Sequence, residues 1–346
     1  MMKKIVCFII FGIVMLQGCR FFQKDAPFVV DRAGLLTNAE SEHINALLPP
    51  LLKQLDIHIQ VVILKESPSN LDERAVELFE TFALGSQTRG AKGVLFLIDP
   101  LGQQVRVEIG YDLEAIYPDA FIAYISHKQM TPFFQANQIG PGIEAAVELL
   151  VNRALGRIAA SDYVIDETPS ETQPSEYSGG AGARTTVKIG SGTPDKPISA
   201  LAARFGPQSS PLQALEVYQE ILRLHIKDPN LGVYTPETRK FFVQWVVTDA
   251  QQDNAFRQLQ HILPQSEVRQ QGNLAVIRYP LDNRQANPYF LRRGKKGWML
   301  DFAAMNRTIG LNHVNQWSFR TQNHEFMFAF EDAVFDKNGF PHPQPR

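Results

Sequence analysis

A polar segment in the middle of the chain divides it into two candidate globular regions. Residues 161–199 are rich in Ser, Thr, Pro, Gly and Glu and contain almost no large apolar side chain. Such a segment buries too little apolar surface to offset the conformational entropy that folding would cost it. The length of 346 residues also suits two domains. The composition therefore predicts a flexible linker over 159–204, with one domain over 28–158 and another over 205–346.

The first region alternates between strand and helix patterns, which favours an α/β sandwich around a mixed sheet. Apolar and β-branched runs predict strands at 57–64, 93–98 and 104–109, and amphipathic patterns predict helices that begin after Asn70, at Asp119 and at Ile143. An earlier helix is predicted after Thr37, because Thr37 and Glu40 have the spacing of a capping box. Pro49 and Pro50 are expected to break or kink that helix.

Several short motifs in this region have a recognisable order. They are Val30-Asp31-Arg32-Ala33-Gly34-Leu35-Leu36, Ala83-Leu84-Gly85, Lys92-Gly93-Val94-Leu95-Phe96-Leu97-Ile98, Arg106-Val107-Glu108-Ile109-Gly110-Tyr111-Asp112-Leu113-Glu114 and Pro132-Phe133-Phe134 with Gly140-Pro141-Gly142-Ile143. Their order and spacing resemble the TPM domain over about residues 28–156. The resemblance implies a TPM-type α/β/α sandwich with a mixed sheet.

Acidic side chains of this region are candidate metal ligands. Asp31 and Asp99 follow apolar strands, where open α/β sheets tend to place ligands. Asp112, Glu114 and Asp119 cluster after the third predicted strand, and carboxylate oxygens suit calcium or magnesium. TPM domains are reported to bind calcium, and a plant member is reported to have acid phosphatase activity. The resemblance therefore implies a calcium or magnesium site built first from Glu114 and Asp119, then from Asp31 and Asp99.

The same carboxylates also suit ordinary structural roles, and this alternative stays open. Acidic residues are common in surface loops, and Asp119 could cap the helix that it begins. Asp99 precedes Pro100, and Asp-Pro readily starts a turn. Asp112 could either add a ligand or tighten the loop.

Residues 1–18 have the order of a secretory signal: two lysines, an apolar run over 5–16 and small residues before a cysteine. The run of 12 residues is shorter than the roughly 20 that a membrane-spanning helix needs. Leu16-Gln17-Gly18-Cys19 resembles the lipobox of bacterial lipoproteins, which implies cleavage before Cys19, its acylation and a lipidated tether over 19–27. A plain signal peptide with an incidental cysteine, or an uncleaved short anchor, are the alternatives.

The predicted mature chain would meet the membrane through its acyl chains. Arg20 is not the aspartate that usually retains lipoproteins in the inner membrane, which favours the periplasmic face of the outer membrane if the organism is Gram-negative. Loss of two lysines lowers the basic residues from 34 to 32 against 36 acidic ones, a formal charge of −4. This balance argues against nucleic acid as a partner.

The second region starts with helices and ends in an aromatic meander. Helices are predicted to begin at Pro211, Pro236 and Asp249, and strands at 274–279, 289–292, 298–302 and 325–330. This order resembles the NTF2-like cone, an α+β fold that often encloses a pocket. Asp301, Tyr289 and Trp298 are candidate pocket residues, since an acid and a tyrosine in an apolar pocket can transfer protons. A solvated sheet face for Asp301 and a core role for Trp298 are the alternatives.

The sequence contains no Walker loop, no His-Glu-x-x-His, no Gly-x-Ser-x-Gly and no cysteine nucleophile. Together with the anchor, this predicts a non-catalytic accessory, assembly or maintenance factor that binds another envelope or membrane protein. The alternative is a calcium- or magnesium-dependent phosphatase that acts through the first domain.

Overall fold

A five-stranded sheet forms the framework of the first domain. The computed structural model describes residues 27–86, 92–159, 182–192, 204–312 and 314–344. The strands, in their order across the sheet, are β1 (Val29–Asp31), β2 (His58–Ile63), β3 (Gly93–Asp99), β4 (Gln104–Ile109) and β5 (Gly182–Thr186). β1, β2 and β3 are parallel, whereas β4 is antiparallel to both β3 and β5. This arrangement confirms the predicted mixed sheet of an α/β domain.

Helices cover both faces of this sheet. They are α1 (Asn38–Leu55), α2 (Leu71–Thr81), α3 (Asp119–Tyr124), α4 (Thr131–Gln135) and α5 (Ile139–Ala154), with a π-helical turn at Ile125–Met130 between α3 and α4. Successive side chains of a strand point to opposite faces. Val61 and Phe96 therefore enter the core beneath α1 and α5, whereas Val62 and Leu97 pack beneath α2.

The double proline does not break α1, and the prediction of a break there was wrong. The helix continues through Pro49 and Pro50 to Leu55, although a proline inside a helix costs about 3 kcal/mol. Leu48 and Leu51 flank the prolines and are fully buried in the sheet core, and each such side chain contributes about 1.5–3 kcal/mol. Packing against the sheet therefore holds the helix together through this point.

One strand lies inside the segment that composition predicts to be linker. Residues Gly182–Thr186 form β5, which pairs with β4 along its whole length. Ala183 and Thr185 point into the domain and are buried, and Val187 follows in the same core. Pairing with β4 supplies the backbone hydrogen bonds, so this strand needs only small inward side chains. The first domain therefore includes residues beyond 158.

The second domain is a separate α+β unit. Its elements are α6 (Pro211–Arg223), α7 (Pro236–Gln244), α8 (Asp249–Ile262), β6 (Glu267–Gln271), β7 (Leu274–Arg278), β8 (Tyr289–Gly294), β9 (Gly297–Leu300), α9 (Phe302–Thr308), β10 (Ile309–Leu311), β11 (Trp317–Phe319), β12 (Ala333–Phe335) and β13 (Pro341–Pro343). Strands β6 to β9 form an antiparallel meander, and β10–β11 and β12–β13 form two small pairs. The three predicted helix starts are confirmed.

Two errors in the strand predictions for the second domain have different physical reasons. The aromatic run at 325–330 was predicted as a strand, but Met327–Phe330 is a 3-10 helix. Phe326, Ala329 and Phe330 are the buried residues of this run, and a spacing of three and four residues is helical. Strand β6 was missed, because its five residues are all exposed and show no apolar alternation.

The two domains pack against each other through α8 and the residues just before it. Val246 and Ala250 are buried in the core of the first domain. The Thr248 hydroxyl donates to Gln129 Oε1 in the π-helical turn, and the Tyr124 hydroxyl donates to Asp253 Oδ2 at 3.2 Å. Within the described ranges, every helix is too short or too polar to cross a bilayer.

Candidate functional site

Asp31 and Asp99 lie at the carboxyl edge of the parallel strands, as predicted, and both are held by backbone groups. Asp31 accepts hydrogen bonds from the N–H groups of Ala33, Gly34 and Leu36 at 2.8–3.0 Å. Asp99 is buried and accepts from the Ser67 hydroxyl and from Gly102 N, both at 2.8 Å. Each carboxylate therefore fixes the loop that follows its own strand.

Asp112, Glu114 and Asp119 lie at the opposite edge of the sheet. Strand β4 runs antiparallel to β3, so the end of β4 lies beside the start of β3, where Ile109 pairs with Val94. Asp112 is exposed in a 3-10 turn and Glu114 follows that turn. Asp119 begins α3, and its Oδ1 accepts from Gly182 N of β5 at 3.1 Å.

The five predicted ligands do not fit one metal ion. Asp99 of β3 pairs with Gln104, at the start of β4. Asp119 instead contacts Gly182 of β5, and Gly182 pairs with Glu108 near the end of β4. Four residues of strand separate these two levels, or about 13 Å. No group of three or more His, Cys, Asp or Glu side chains among the described residues is placed to hold an ion. The single site of four or five carboxylates expected from sequence is therefore not formed.

A buried cluster of charges, missed by the sequence analysis, lies between these two edges. We call it the charge cluster: Asp72 of α2, Arg106 and Glu108 of β4, and Arg184 of β5. Arg106 is only 1% exposed; its Nε lies 3.0 Å from Glu108 Oε2, and its Nη1 lies 3.0 Å from Asp72 Oδ1. Arg184 Nη1 reaches Asp72 Oδ2 at 3.3 Å. Burial raises the pKa of the Glu108 carboxyl, while the charge of Arg106 opposes this rise.

The alternation of β4 explains why these charges point inward. Val105, Val107 and Ile109 enter the core beneath α1 and α5, so Arg106 and Glu108 must face α2. A signal was present in the sequence, since two opposite charges two residues apart inside an apolar strand share one face.

Above the cluster, a polar recess of about 390 Å³ is lined by Ser67, Asn70, Asp72, Asp99 and Arg184, among others. Hydrogen bonds and ion pairs already engage these charged groups, so the cluster supports a structural role.

The three pocket residues predicted in the second domain are all buried. Asp301 is buried, caps α9 by accepting from Ala304 N at 3.0 Å, and accepts from Arg292 Nε at 2.5 Å. Trp298 and Tyr289 are buried in the hydrophobic core. The Asp301 carboxylate is therefore used for capping and for an ion pair.

An open aromatic cleft lies instead among α6, α7, α8 and α9. Its volume is about 380 Å³, and the six rings that line it are Tyr218, Tyr234, Phe241, Phe242, Trp245 and Phe302. The Phe241 and Trp245 rings are 5.0 Å apart, and Phe242 and Phe302 are 5.4 Å apart. Burial, together with the neighbouring tyrosines, raises the pKa of Tyr218 well above its ordinary value, so its hydroxyl stays protonated.

Two large apolar side chains that line this cleft remain partly in solvent. Trp245 is 40% exposed and Leu311 is 55% exposed. Large apolar side chains exposed beside a pocket are typical of a binding surface. The aromatic cleft is therefore the strongest candidate binding site of the second domain.

Comparison with protein families assigns the first domain. The model of the TPM domain matches residues 29–153. This part of the chain is a TPM domain. The match agrees with the resemblance expected over about 28–156, and it ends before β5.

Comparison with solved structures gives a similar chain. The solution NMR structure of the N-terminal domain of a protein from P. gingivalis is 27% identical, with 38% of this chain and 85% of that chain covered, at a TM-score of 0.34. Comparison with curated proteins gives no match.

Proposed function

We propose that this chain is a lipid-anchored accessory protein of the cell envelope that binds another envelope or membrane protein through its second domain. The open aromatic cleft is the observation that carries the binding role. The anchor rests on the Leu16–Cys19 motif, and Cys19 lies outside the described residues. The NTF2-like resemblance is part of this proposal and is supported by the order of helices before a meander.

The shape and chemistry of the cleft suit an apolar side chain of a partner protein. A volume of about 380 Å³ falls within the range of small-molecule pockets. Exposed aromatic residues beside a preformed pocket are the usual anchors of protein interfaces. A lipid tether would hold the cleft close to membrane partners and raise its effective concentration there. The partner expected is therefore an envelope protein that presents an aromatic or aliphatic side chain.

Site-specific photo-crosslinking in intact cells tests the binding role. We would replace Leu311, at the cleft, with p-benzoylphenylalanine, and replace the exposed Leu101 of the TPM domain as the matched position. We expect one specific adduct with an envelope protein from position 311, lost when Trp245→Ala is added. Identical adducts from both positions, or an adduct that is insensitive to Trp245→Ala, would overturn the proposal.

The anchor has a separate test. Metabolic labelling with palmitate should label the wild-type chain and leave Cys19→Ser unlabelled, and Cys19→Ser should move from the membrane fraction to the soluble fraction. Membrane association and labelling that survive Cys19→Ser would remove the lipid anchor from the proposal while leaving the cleft untouched.

A further inference from the structure

A second cavity, of about 560 Å³, lies at the junction of the two domains. Its walls come from α5 of the TPM domain, from α8, and from the loops around Asn283–Asn287 and Asn315. Seven of its fifteen lining residues carry a carboxamide side chain, and none is Phe, Tyr or Trp. The aromatic cleft is lined by rings, whereas this cavity is lined largely by carboxamides, so the two cavities suit ligands of different chemistry.

The floor of this junction cavity is a chain of hydrogen-bonded amides that spans both domains. Asn315 Nδ2 donates to Asn152 Oδ1 at 2.8 Å, and Arg157 Nη1 donates to the same oxygen at 3.0 Å. Asn254 links Asn152 to Glu148, with 3.5 Å to each. These bonds fix the floor before any ligand arrives, which lowers the entropy cost of binding.

The rim of the cavity offers groups that are still available. The side chains of Asn283, Gln285 and His261 make no hydrogen bond to any other described residue, and all three are at least partly exposed. A carboxamide offers two donor hydrogens and an acceptor oxygen. A sugar hydroxyl also both donates and accepts, so adjacent hydroxyls can satisfy such amides in pairs. An apolar ligand would instead leave the polar wall unsatisfied, at a cost of about 1–3 kcal/mol for each buried group.

We propose that the junction cavity is a saccharide-binding site. The amide floor formed by Asn152, Asn254 and Asn315 and the rim of Asn283 and Gln285 recognise hydroxyl groups of the sugar. Arg157 and Arg257 line the cavity together with the carboxyl of Glu148, so the test includes an anionic sugar beside a neutral one. This inference does not depend on the proposed partner binding, because the two cavities are lined by different residues apart from Leu311.

Binding of defined sugars to the full chain tests this site. Isothermal titration would use two probes, N,N′-diacetylchitobiose as a neutral disaccharide and digalacturonic acid as an anionic one. The double variant Asn283→Ala/Gln285→Ala removes the rim amides, and Gln270→Ala removes an exposed amide on β6 as the matched control. We expect saturable binding of at least one probe, weakened at least tenfold in the double variant and unchanged in the control.

Each alternative outcome has a definite meaning. Binding of digalacturonic acid alone would assign the site to acidic sugars, and binding of chitobiose alone would assign it to neutral ones. If neither probe binds, or if binding is unaltered by Asn283→Ala/Gln285→Ala, the saccharide assignment is wrong. Circular dichroism and the Tm of each variant would show that loss of binding does not come from unfolding.

Discussion

Arg106 Nη1 lies 3.0 Å from Asp72 Oδ1, and this ion pair joins the inner face of β4 to the first turn of α2. Arg106 is almost completely buried, so its charge cannot be compensated by water. A buried charge that loses its partner is strongly destabilising, even where the intact pair contributes little. The charge cluster therefore holds α2 against the sheet through Arg106, Glu108 and Arg184.

Replacing Asp72 should destabilise the TPM domain. Asp72→Ala leaves Arg106 with Glu108 alone and removes the contact of Arg184. We expect the free energy of unfolding to fall by about 3 kcal/mol, near the lower end for a broken buried pair because Asp72 is partly exposed. Urea unfolding measures the change, with the exposed Glu66→Ala as control. Equal unfolding midpoints for the two variants would contradict the structural role of the cluster.

The stability of wild type should fall, relative to Glu108→Gln, as the pH rises above the ordinary glutamate pKa of 4.5. Burial raises the pKa of the Glu108 carboxyl above its ordinary value of 4.5. A raised pKa favours the folded state while the group is protonated, and this contribution is lost as the pH rises through the folded-state value. Glutamine does not titrate. Urea unfolding at several pH values checks this, and a difference that is constant with pH would contradict it.

Much of the fold was predictable because the decisive signals are local. The start of α8 was predicted at Asp249, and the helix begins at that residue. The other elements depend on tertiary contacts. Burial of Leu48 and Leu51 keeps α1 helical through the prolines, and pairing with β4 keeps β5 extended. Neither effect can be seen in a window of neighbouring residues.

The candidate sites were less predictable than the fold for the same reason. Asp31 ends β1 and Asp119 begins α3, at the positions expected along the chain, but the antiparallel direction of β4 places the two residues at opposite edges of the sheet. Residues that follow strands are close in space only where those strands end at the same edge of the sheet. The aromatic cleft and the junction cavity each combine residues from several elements, so no single motif marks them.

The separation of the acidic loops predicts that no single calcium ion links them. We would measure the Tm with and without calcium for wild type, Asp31→Asn and Asp119→Asn. We expect either no calcium-dependent rise in Tm, or a rise that survives at least one of the two substitutions. A rise abolished by each substitution alone would mean one shared ion, as the sequence suggested. Sodium chloride at equal ionic strength controls for screening.

Docking of the two domains should depend on Ala250. This side chain is completely buried, near the start of α8, in the core of the TPM domain. Ala250→Arg must either bury an unpaired charge or separate the domains, and separation avoids the larger cost. We expect a larger radius of gyration in solution scattering and faster proteolysis between the domains.

A matched arginine on the exposed side of the same helix, Gln260→Arg, should leave both measurements unchanged. Thr248→Val, which removes the hydroxyl bonded to Gln129, should loosen docking to a smaller degree than Ala250→Arg. If all three variants scatter like wild type, α8 does not hold the domains together in solution.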